Sequence, residues 1–85
     1  MPQADLNYSS QLPLDAAAVL AKVEEVVAEH DATSGACKGR AHPHEITHHV
    51  HVLLRLRMLK KPHRDNAFMQ ALLGALQTAL RPMVP

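Results

Sequence analysis

The chain has 85 residues, 47% of them apolar, with a formal charge of +1 and one cysteine. This is a single domain over residues 1–85, too apolar to be disordered and too near neutral to argue for nucleic acid or an anionic membrane as partner. With one Phe, one Tyr and no Trp, its core has to come from Val, Leu, Ala and Met, and a domain this short is often helped by oligomerisation. No apolar run is long enough to span a bilayer. The start lacks the basic-then-apolar pattern of a signal peptide. Cys37 has no partner for an internal disulfide, so a cytoplasmic location is the expectation.

Residues 2–8 alternate: Pro2, Ala4, Leu6 and Tyr8 share one face, and Gln3, Asp5 and Asn7 the other. This predicts a half-buried strand. Proline has no amide hydrogen to give a sheet and is tolerated at a strand's first residue. Ser9 to Pro13 read as a loop. Asp15 is a good N-cap for a helix running to about His30, with Leu14 and Val19 placed for a hydrophobic staple. Val19, Leu20, Val23, Val26 and Val27 recur on one side of it, and Lys22, Glu25 and Glu29 take the wet face. The stretch "DATSGACKG" breaks the pattern, and a short extended piece is expected from Cys37 to His42.

Residues 47–59 read as the longest strand. Val50, Val52, Leu54, Leu56 and Met58 share one face; His49, His51, Leu53, Arg55 and Arg57 share the other. The second face is polar but for Leu53, which suits a subunit contact or a site better than open water. "KKPHRD" is a turn, and Asp65 caps a second helix. That helix carries Phe68, Met69, Leu72, Leu73, Leu76 and Leu80 on one side, with Gly74 inside it and Pro82 ending it. The order is strand, helix, short strand, long strand, helix. It predicts an α/β two-layer sandwich of βαβ units, two helices covering one face of a small mixed sheet. No glycine-rich phosphate loop follows the first strand, which removes support for a nucleotide-binding fold.

Two chemical signals stand out. "HPHEITHHVH" packs His42, His44, His48, His49 and His51 into ten residues. His49 and His51 project together from a strand, and with His42 or His44 folded back they would make a site for zinc, nickel or copper. No fixed ligand spacing is met, and the plainer reading is a polar, partly exposed face. "RLRMLKKPHR" is a cluster of positive charge, ordinarily a solvated edge, otherwise an attractor of a dianionic substrate.

The initial Met-Pro with its alternating strand ending in "YS", followed by "LAKVEEVV", "CKGRAH", "VHVLLRLRML" and "QALLGALQTAL" in order, resembles the tautomerase superfamily. Within it the chain is most similar to the 5-carboxymethyl-2-hydroxymuconate isomerase family. The resemblance implies a catalytic amino-terminal proline, Pro2, exposed by removal of Met1. It implies that Arg40 orients the substrate and that the sites lie at subunit boundaries of a homotrimer. The implied reaction is keto–enol or double-bond isomerisation of a small unsaturated carboxylic acid, with no cofactor and no metal. Lys60 stands where the family has an arginine for a substrate carboxylate; it keeps the charge but loses the bidentate fork. Tyr8 and His51 complete the candidate substrate-binding residues. The loop between Arg40 and His51 is shorter than in the family, and the family's last strand, after the second helix, has no counterpart.

Such a reaction moves one proton between atoms one or two carbons apart, and one base that becomes the acid can do both steps. A chain-terminal amine has a pKa of about 8 and a secondary amine starts higher. It must be lowered by an apolar setting and nearby cations. Ala4, Leu6 and Tyr8 offer the first; Arg40, Arg55, Arg57 and Lys60 are candidates for the second. The rival functions are a non-catalytic protein of the same fold and a histidine-rich metal-binding protein.

Overall fold

The computed structural model describes all residues, 1–85. Five main elements follow in the expected order: strand β1 (Gln3–Ser9), helix α1 (Ala16–His30), strand β2 (Lys38–His44), strand β3 (Val52–Arg57) and helix α2 (Asn66–Leu80). The strands form one mixed sheet in the order β2-β1-β3, with β1 parallel to β2 and antiparallel to β3. The fold is thus a small α/β unit that opens with βαβ. No helix is long and apolar enough to cross a membrane.

Both helices start where a carboxylate satisfies an orphan amide. Asp15 accepts from the Ala18 N–H at 3.1 Å and Asp65 from the Phe68 N–H at 2.9 Å. The buried side of α1 is Val19, Val23, Val26 and Val27. The stripe of α2 divides: Leu72 and Leu76 are buried, whereas Met69 and Leu73 stay exposed. These side chains meet Ala4 of β1, with Leu54, Leu56 and Phe68 packed around them. The helices therefore cover the face of the sheet that carries Ala4 and Leu6 of β1, Gly39 and Ala41 of β2, and Leu54 and Leu56 of β3. Gly39 lets α1 lie close on β2, since an added Cβ would stand 2.9 Å from a Leu20 methyl.

Two strand boundaries differ from the sequence reading, and the nominally short strand is the longer one. β2 runs to His44 rather than His42, because β1 continues to Ser9 and offers it a parallel partner throughout. β3 begins at Val52, not at residue 47, and stops at Arg57. At its start, His49 adopts φ 63° and residues 48, 49 and 51 lie in bends; β1 ends at Ser9, so nothing remains there to pair with. At its far end β1 begins only at Gln3, opposite Arg57, so Met58 has no strand residue beside it. Val50, expected in the core row, is accordingly 53% exposed. Pro82 lies in a 3₁₀ turn, Arg81–Met83, just beyond the end of α2.

Candidate functional site

The opposite face of the sheet carries no helix, and its chemistry follows from register. Across β1 the rows read Lys38–Gln3–Arg57, then Arg40–Asp5–Arg55, then His42–Asn7–Leu53. Four formal cations, Lys38, Arg40, Arg55 and Arg57, thus surround one carboxylate. Asp5 accepts from His42 Nε2 at 3.0 Å and from Arg57 Nη2 at 3.3 Å. Its carboxyl is held below the usual range, first by the His42 hydrogen bond and then by the charges of Arg57, His42 and Arg40, against partial desolvation. A basin of about 360 Å³ lies over this face, lined by Asp5, Asn7, His42, His44, Arg55 and Arg57.

The amino-terminal end has a different character. The Pro2 ring is fully buried, and its carbonyl accepts from the Lys38 N–H at 3.0 Å. Met1, 66% exposed, lies in a groove of about 260 Å³ with Gln3, Arg57, Met58 and Leu59. The cation bordering the position next to the Pro2 nitrogen is therefore Arg57. Arg40 stands in the neighbouring row, opposite Asp5, on the face away from the Pro2 ring. Lys60 is exposed and follows the end of β3 on the same side of the molecule.

Tyr8 and His51 do come together, but elsewhere. They line a basin of about 330 Å³ with Asn7, His44, Thr47 and Arg55 among others. Six strand positions separate Tyr8 from Pro2, or about 20 Å of extended chain. Within one protomer these two residues cannot touch a small molecule held at the Pro2 nitrogen. Three histidines have separate acceptors: His42 on Asp5, His44 on the Asn7 side-chain oxygen at 2.9 Å, His30 on the Val26 carbonyl at 3.0 Å. No three His, Cys, Asp or Glu side chains gather in a geometry that would hold a metal ion.

A second cluster is buried rather than open. Asp31, just after α1, accepts from Thr33 Oγ1 at 2.6 Å, the Thr33 N–H at 2.9 Å, Arg64 Nε at 2.7 Å and His63 Nε2 at 3.1 Å. Arg64 also donates to the Leu59 carbonyl at 2.6 Å. The sequence reading put Arg64 on a solvated cationic edge; its side chain is 4% exposed and ties the turn before α2 to the end of α1. Cys37 is half-buried, its N–H donating to Glu24 at 2.9 Å. Burial pushes its thiol pKa up, and the Glu24 charge adds to this, which argues against a nucleophilic role.

Asp5 and Arg57 are the residues that reading the strands singly undervalues. Each is visible as an alternate polar position on its own strand. That they share a face, in contact, depends on the pairing of strands 52 positions apart. Comparison with family models, curated proteins and solved structures returned no match.

Proposed function

We propose that the chain is a small isomerase of unsaturated carboxylic acids, with the nitrogen of Pro2, freed by removal of Met1, as its single acid–base group. The observation that carries this reading is the groove at the amino terminus, where Met1 borders Met58, Leu59 and the Arg57 guanidinium. Apolar walls and a cation both disfavour an ammonium, so they lower the pKa of an amine placed there. The Pro2 carbonyl is tied to β2 and its ring is buried. The nitrogen is then mounted on the central strand rather than on a loose end.

In the proposed cycle the neutral nitrogen takes a proton from the enol hydroxyl or an allylic carbon of the substrate. The electron pair shifts along the conjugated system, and the resulting ammonium returns the proton to another carbon. Arg57 binds the substrate carboxylate with its planar fork, and its bond to Asp5 limits its swing. Arg40, one row further along the cationic face, polarises a carbonyl oxygen or holds a second carboxylate. Lys60 adds charge at the same end. The proposal needs no cofactor, and a cytoplasmic location is consistent with it.

The test is ketonisation of phenylenolpyruvate or 2-hydroxymuconate, with an intact mass of the natively expressed protein alongside. Loss of Met1 is expected in the mass. Pro2→Ala should lower kcat about 100-fold or more, the usual contribution of a positioned acid–base group. Arg57→Gln should lower kcat/KM roughly 10- to 100-fold, as expected for losing a charge-assisted bond. A retained Met1, or an unchanged rate in Pro2→Ala, would sink the catalytic reading. It would leave an anion-binding protein with the same cationic face.

A further inference from the structure

The outer edge of β3 is an unfinished sheet beside an unfilled apolar groove, and we propose that a second copy of this chain completes both, β3 pairing with β3 across a twofold axis. The Ser9 N–H donates to the His51 carbonyl at 2.8 Å, which sets the phase of the ladder. His51, Leu53, Arg55 and Arg57 direct their backbone groups to β1. Val52, Leu54 and Leu56 direct theirs outward, where no strand lies.

Next to this edge, on the helix side, runs a groove of about 740 Å³ between β3 and α2. Leu54, Leu56, Met69, Leu73, Leu76 and Leu80 line it, and Arg81 is its one charged residue. Met69 is 37% and Leu73 50% exposed there. A twofold axis normal to the sheet puts both copies of α2 on one side, so that these two side chains of each copy reach the other's groove.

Surface area argues for an occupant of this size. The chain exposes 5803 Å². A compact monomer of 9.3 kDa exposes about 5,000 Å². The excess, roughly 800 Å², equals one partner's share of a standard interface.

Charge and the length of β3 select the register, since centring on Leu53 would pair only Val52 to Leu54 within the strand. Antiparallel partners must share a face, so β3 can be centred on one residue only in steps that keep the alternation. Centring on Arg55 sets Arg55 against its own copy, which is unfavourable. Centring on Leu54 sets Leu54 against itself, Val52 against Leu56, and Leu53 against Arg55, with no like charges facing. It also sets His51 of one copy against Arg57 of the other. The Pro2 end of each protomer thereby gains the residue that its own chain holds about 20 Å away.

Analytical ultracentrifugation over the micromolar range should give a mass twice that of the chain. Leu73→Glu, at an exposed helix position, should keep its helical circular dichroism and weaken the dimer about 30-fold or more. A monomeric parent, or a trimer indifferent to Leu73→Glu, overturns the proposal. The register has its own readout. In a Cys37→Ser background, Leu53→Cys mixed with Arg55→Cys should oxidise to a cross-linked dimer faster than either variant alone. Preferential cross-linking of Arg55→Cys with itself would overturn the Leu54-centred pairing.

Discussion

At the scale of single residues, the chain uses its two most constrained carboxylates differently. Asp5 lies on an open face among cations, whereas Asp31 is 4% exposed and fully engaged. The Asp31 carboxyl is held well below the ordinary range. The Thr33 hydroxyl bond contributes most; desolvation opposes it, and His63 and Arg64 add to the lowering. A depressed folded pKa contributes stability that is complete above the unfolded value of about 4 and lost as pH falls through the folded one. Asp31→Asn should therefore denature at lower urea than the parent near neutral pH. The gap should narrow as the pH drops below about 4; a gap that stays constant to acid would mean that the charge is irrelevant. Cys37 gives a second check. With its thiol pKa raised by burial, its alkylation near neutral pH should be slower than that of free cysteine, and urea should abolish the difference.

At the scale of elements, capping and periodicity account for both helices, while the strands depend on their neighbours. Asp15 and Asp65 act as the local sequence requires. Gly74 is different: it lies on the exposed side of α2, and an added Cβ would meet nothing within 4 Å. Gly74→Ala should thus stabilise the protein by about 1 kcal/mol, a rise in Tm of roughly 4–8 °C for a domain of this size. An unchanged Tm would indicate that the position is crowded in the assembled protein. β3 illustrates the opposite dependence. Its alternation continues well beyond residues 52–57, but a strand lasts only as long as a partner runs beside it, and β1 pairs with it only from Gln3 to Tyr8.

At the scale of the whole molecule, the exposed groove and the free edge dominate. The chain spans 39 × 20 × 20 Å, with 11 of 85 residues buried, which is a thin core for an isolated domain. If the edge is completed by a second copy, folding and association are linked. Tm should then rise with protein concentration, by the mass action of a partner that binds only the folded form. Leu73→Glu should abolish that dependence. A Tm independent of concentration in the parent would show that the single chain is the stable unit.

The sequence by itself determined the helices and their caps, the inward row Ala4 and Leu6, the order of elements and the two-layer α/β plan. These follow from periodicity and from side chains acting within a few positions of one another, which is local physics. The tertiary structure decided what lies opposite what. Register placed Arg57 rather than Arg40 at the groove beside Met1, set Arg40 and Arg55 on either side of Asp5, and parted Tyr8 and His51 from Pro2. It also buried Arg64, which composition marks as solvated, because Asp31 waits for it 33 positions earlier in the chain. Such pairings depend on contacts between distant segments, and no window of neighbouring residues contains them.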